Sequence, residues 1–151
     1  MDNVALASYY RMNATVFRMS AEVLLRDFEK RGEALPGNRR AIPFYYLVSY
    51  SIELLLKCAL LKRGESADAL KKYPLGHNLS KQLESLKRLG VPVSKNTERV
   101  IGILSPQHVR HVLRYSALID DGEPTFTPEP ELLLTIADEL LMAGRIATHG
   151  V

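Results

Sequence analysis

The sequence predicts an all-α protein, an up-and-down helical bundle of about five main helices in a single domain covering residues 1–151. Two observations lead to that expectation. Apolar residues recur at spacings of three and four, while alternating runs bounded by hairpin turns are missing and Val91-Pro92-Val93 is too short to count as a strand. Proline and glycine cluster in a few short joints, which cut the chain into helix-sized pieces.

Taken in order, residues Asn3 to Arg31 contain neither Pro nor Gly. Leu6, Tyr9, Tyr10, Asn13, Val16, Phe17, Ser20, Leu24 and Phe28 fall near one face of the helix this predicts. Gly32 and Leu35-Pro36-Gly37-Asn38 end it. A second helix is expected from Pro43, tolerated in a first turn, to Lys62, with Gly64 closing it. It is the most apolar segment and should be the central element. Ser66 to Tyr73 suits a short helical turn before the break at Pro74-Leu75-Gly76. Asn78 then caps a third main helix, with Leu79, Leu83, Leu86 and Leu89 on one stripe up to Gly90. Ser94 caps a fourth that heads toward Tyr115, with Gly102 and Pro106 expected to bend or split it. Thr127-Pro128-Glu129-Pro130-Glu131 opens the last, with Thr127 as the N-cap hydroxyl.

At 151 residues the chain can build one core without staples. A single cysteine, Cys58, excludes an intramolecular disulfide framework and fits a reducing compartment. The start, Met1-Asp2-Asn3-Val4, lacks the basic residues and apolar run of a secretory signal. Ser49, Ser51, Glu53 and Lys57 interrupt the apolar stretch from Ala41 to Leu61, which argues against a membrane span. The expectation is a soluble cytoplasmic protein. Its formal charge of +3 conceals an asymmetry: residues 1–117 carry a net +9, residues 118–141 a net −7, and Arg145 supplies the remainder. A basic body beside an acidic segment suggests either self-complementary packing or a basic face for an acidic partner.

Three groups of residues can carry chemistry. Gln107 to Arg114 holds two His, two Arg and no acid, and helical spacing sets His108, His111 and Arg114 near one line, with Arg110 and Arg114 an i,i+4 pair. Two guanidinium forks can hold a phosphate or carboxylate, or can pair with the acidic segment downstream. Ser49, Glu53 and Lys57 recur every four residues on the apolar second helix, either as a cleft lining or as a solvated or interface seam. His77 stands just before a helix N-terminus, where it can join backbone amides in holding an anion, or simply pack its ring on the first turn or bond a neighbouring loop. No metal or cofactor is expected, since His108 and His111 lack a third ligand at metal spacing and no Gly-rich phosphate loop, G-x-S-x-G turn or H-E-x-x-H pair occurs.

Glu53-Leu54-Leu55-Leu56-Lys57 in the second helix, followed by Gly76-His77-Asn78-Leu79 opening the third and by His111-Val112-Leu113-Arg114-Tyr115 in a late helix, resembles the HEPN superfamily over roughly residues 41–120. The resemblance implies a helical bundle, a homodimer, and work on RNA or nucleotides in toxin–antitoxin, abortive-infection or stress systems. It also implies a partner protein such as a nucleotidyltransferase or antitoxin. Many members are metal-independent ribonucleases with an Arg-x4-6-His motif. No Arg in this chain has a His five to seven positions on: after Arg114 those positions hold Ile119, Asp120 and Asp121, and Arg145 to His149 is one residue short. The sequence therefore reads as a non-catalytic binding module for RNA, a nucleotide or a partner protein, with Glu53, Lys57, His77, His108, Arg110, His111 and Arg114 as its site. The alternatives are a ribonuclease with His111 or His108 as base and Arg114 or Arg110 as phosphate clamp, and a purely structural dimeric adaptor.

Overall fold

The computed structural model describes residues 2–109 and 128–145. Five α-helices account for most of them: α1 (Asn3–Lys30), α2 (Ile42–Leu61), α3 (Leu79–Arg88), α4 (Lys95–Val109) and α5 (Pro130–Ala143), with short 3-10 turns at Arg39–Ala41 and Ala69–Lys71. Among the described residues there is no strand, and the all-helical bundle read from the sequence is what the chain forms.

The central element is α2, which packs along α1 and against α3 and α5. Every residue from Ser51 to Leu61 is buried, as a helix apolar on all sides requires. With the turn before it, the segment Arg39–Leu61 has the length and apolar composition to cross a bilayer, but in this fold its apolar surface is covered by the other helices.

The buried face of α1 overlaps the expected one but is centred on a different line. Tyr9, Val16 and Ser20 are exposed and Leu6, Tyr10, Phe17 and Leu24 only half-buried, whereas Ala7, Ala14, Ala21, Leu25 and Phe28 are buried. Ala7, Ala14 and Ala21 recur every seven residues and lack side chains long enough to hold the two helices apart. Ser51 exploits the close approach, its buried hydroxyl donating to the Ala14 carbonyl at 2.8 Å.

Helix ends follow their local chemistry. Asn78 accepts from the Lys81 amide at 3.0 Å and Ser94 from the Thr97 amide at 3.1 Å, so both expected caps form. Gly90 (φ +78°) closes α3 in the left-handed region, letting the Val91 amide reach back to the Leu86 carbonyl at 3.3 Å. Two expectations are corrected: the split of α4 and the cap of α5 at Thr127. α4 runs unbroken through Gly102 and Pro106: both residues are exposed, so water can take the Gly102 carbonyl that the proline leaves without a donor. α5 is capped at Glu129 with no side-chain hydrogen bond, and Pro130 fills its first turn; Thr127 lies outside the described residues.

Part of the acidic segment is used internally. The Asp138 carboxylate of α5 holds the Arg18 guanidinium of α1 at 2.8 Å. Glu139 accepts from the Ser94 amide, the Ser94 hydroxyl and the Thr97 hydroxyl at 2.7, 2.8 and 2.7 Å, placing a carboxylate at the positive end of α4. Asp120, Asp121 and Glu123 lie outside the described residues.

Candidate functional site

The polar groups of α2 converge on a point where α2, α4 and the loop before α3 meet. Glu53 is at its centre, its side chain 2% exposed. One turn along α2, the Lys57 ammonium donates to Glu53 Oε1 at 2.6 Å. From the loop, His77 Nδ1 lies 3.1 Å from Oε1 and 3.3 Å from Oε2. From the last turn of α4, His108 Nε2 lies 2.5 Å from Oε2. One carboxylate thus holds three nitrogen groups.

The charge state follows from the balance of these contacts. Burial pushes the Glu53 carboxyl up, but the His108 hydrogen bond and the charge and hydrogen bond of Lys57 outweigh burial and hold it down at about 2. Ionised at neutral pH, the carboxylate can only accept, so both imidazoles must present N–H groups to it: Nδ1–H of His77 and Nε2–H of His108. Glu53 in this way sets the orientation and tautomer of two rings carried on different segments. Tyr10 of α1 also senses the group: burial first, and then the charge of Glu53, raise its phenol above the ordinary value.

Residues that the sequence reading passed over position these rings. Gln82, fully buried in α3, donates through Nε2 to the Leu75 carbonyl at 2.6 Å and the Gly76 carbonyl at 3.1 Å, pinning the loop that carries His77. Ser105 of α4 donates to Asn78 Oδ1 at 3.2 Å and accepts from the Ser80 amide at 3.1 Å, joining α4 to the start of α3. Their signal was present in the sequence: each is a polar residue beside leucines on an apolar stripe.

These same bonds correct the expectation that His77 shares an anion with the α3 N-terminus. The Ser80 amide is taken by Ser105 and the Lys81 amide by Asn78. His77 also reaches outside its own loop, to Glu53 on α2.

Of the seven candidate residues, Glu53, Lys57, His77 and His108 come together. Arg110, His111 and Arg114 lie outside the described residues. Ser49, on the same stripe, is fully buried, and its hydroxyl has no hydrogen-bond partner among the described residues. A solvated face is excluded for this stripe, because all three of its members are buried.

Two chemistries are open to the cluster. The ligand atoms of Glu53, His77 and His108 lie within 4.8 Å of one another and are of the type that binds zinc or a similar ion. The Lys57 ammonium already supplies the counter-charge at that carboxylate, and a divalent ion there would have to overcome it. The alternative is a pair of oriented imidazoles, one buried and one with half its side chain exposed. A groove of about 480 Å³ between α3 and α4, lined by Leu83, Lys87, Glu98 and Ile101 among others, includes none of these residues.

Compared with family models, curated proteins and solved structures, the chain gives no match.

Proposed function

We propose that this chain is a HEPN-like binding module for a phosphate-bearing ligand, RNA or a nucleotide, engaged where His77 and His108 are held by Glu53. The observation that carries the reading is the single ionised carboxylate that gathers Lys57, His77 and His108 from two helices and a loop. Lys57 neutralises Glu53, so the cluster carries no net negative charge to repel phosphate. His108 is also two residues before Arg110 and six before Arg114, in a part of the chain with a net charge of +9. Glu53 acts here as a positioning residue and His77 as the group nearest solvent. The sequence resemblance adds the expectation of an RNA-directed system, with a partner protein as the competing occupant.

The test is anisotropy of a labelled single-stranded RNA and of a labelled nucleotide across a salt series. Binding should weaken steeply with salt and weaken further in His77→Ala and Arg114→Ala. No binding at low salt, or binding indifferent to all three perturbations, refutes the reading.

A second reading rests on the 2.5 Å contact between His108 and Glu53, since a carboxylate that fixes an imidazole is how a general base is commonly oriented. It predicts RNA cleavage in the presence of chelator that is lost in His108→Ala. Intact RNA after prolonged incubation excludes it.

A further inference from the structure

Glu53, His77 and His108 offer one ligand atom each, and these atoms lie within 4.8 Å of one another. The sequence spacing showed no third ligand beside His108; the fold brings Glu53 to it from α2 and His77 from the loop before α3. Two of the three are buried, and His77, with half its side chain exposed, leaves an approach from solvent. Each is also held by an outer contact. Gln82 fixes the carbonyls next to His77, Ser105 ties the helix that carries His108 to Asn78, and Lys57 holds Glu53 Oε1. Contacts of this kind keep metal ligands oriented around an ion.

We propose that Glu53, His77 and His108 are the protein ligands of a zinc-type divalent ion, bound between His77 Nδ1, His108 Nε2 and Glu53 Oε2. Donors around a tetrahedral zinc stand roughly 3.3–3.5 Å apart. His77 Nδ1 is already 3.3 Å from Oε2, and His108 Nε2 has to withdraw from its 2.5 Å contact by about 1 Å. Each neutral ring then carries its hydrogen on the far nitrogen and turns a lone pair to the ion, so no proton leaves the site. Two imidazoles and one carboxylate suit zinc or cobalt, whereas magnesium and calcium take oxygen ligands. Three protein ligands leave a fourth position open to water or to a phosphate oxygen. The inference goes beyond the phosphate-ligand reading and does not rest on it, because an ion can bind with no RNA or nucleotide present.

Lys57 is the group that opposes the ion. Its ammonium sits on Oε1 at 2.6 Å, the oxygen that the ion leaves free, so it need not be displaced. It does repel a divalent charge on the other oxygen of the same carboxylate, and that repulsion limits the affinity. Lys57→Gln removes the charge and keeps a donor for Oε1, so it should tighten metal binding. A lysine that served only to hold Glu53 in place would give no gain.

Isothermal titration calorimetry of metal-free protein with zinc, with no RNA or nucleotide present, tests the proposal. One ion per chain should bind, cobalt should show the ligand-field absorption of a nitrogen-ligated site, and magnesium should not compete. His77→Ala, at a half-exposed loop position, should weaken zinc by at least about a hundredfold with helical content unchanged by circular dichroism. Lys57→Gln should tighten it by about tenfold or more. If the lysine variant does not fold, the comparison of wild type with His77→Ala still decides. No zinc bound by the wild type, an affinity unchanged in His77→Ala, equal competition by magnesium, or a folded Lys57→Gln that binds no tighter overturns the proposal. A failure of RNA binding leaves a positive zinc titration standing, and a failed zinc titration leaves the phosphate-ligand reading to its own test.

Discussion

Glu53 should make this protein sensitive to acid in a way that one substitution removes. The carboxyl is held at about 2, against an ordinary value of 4.5, by His108 of α4 and Lys57 of its own helix, with His77 of the loop and Tyr10 of α1 also facing it. A depressed carboxyl contributes stability that is present above pH 4.5 and is lost as pH falls through about 2. The difference between those values corresponds to about 3 kcal/mol at neutral pH, a large part of the stability of an ordinary domain. Glu53→Gln keeps the shape but leaves Lys57, only 9% exposed, beside a neutral amide, and breaking such a buried pair costs about 3–5 kcal/mol. Urea denaturation followed by circular dichroism, run from neutral pH down to acid, should show the variant about 3 kcal/mol less stable near neutrality. The two curves should then converge as the wild-type carboxyl protonates. A gap below about 1 kcal/mol at neutral pH, or one that stays constant down to acid, would refute the assigned charge state.

Three further outcomes are expected. Ala14→Leu should lose at least about 1–3 kcal/mol in the same denaturation assay, because a fully buried position at the α1–α2 contact has no room for the added carbons. Asn78→Ala removes the acceptor for both the Lys81 amide and the Ser105 hydroxyl, and thermal melting should register a loss of about 1–2 kcal/mol. Gly90→Ala should cost about 1 kcal/mol through backbone strain alone, since its φ is +78° and nothing lies within 4 Å of an added Cβ; a neutral result in equilibrium unfolding would count against strain.

The comparison of line and face on α1 shows what periodicity can and cannot reveal. Spacing located the helix to within a residue at its C-terminal end, but weighting large apolar residues set the stripe to one side of the deepest line: Leu6, Tyr10, Phe17 and Leu24 do pack against the core, while Ala7, Ala14 and Ala21 were passed over. Alanine contributes little to a hydrophobic stripe. It becomes the preferred contact only when a second helix approaches closely enough to make a long side chain an obstruction, and that depends on α2. The same limit applied to the site. Glu53 and Lys57 stood out as charges on an apolar helix, and His77 and His108 as isolated imidazoles, yet their common point of contact joins residues 24 and 55 positions apart.

By itself, the sequence determined the number and order of the helices among the described residues, the caps at Asn78 and Ser94, and the central place of α2, because these follow from local hydrogen bonding and the distribution of apolar residues along a few turns. Only the tertiary structure decided which face of α1 is buried and that Glu53 is an ionised hub for Lys57, His77 and His108. The reason is physical: burial raises the cost of a charge, and Lys57 of the same helix offsets it only together with His108, which the fold brings in from α4.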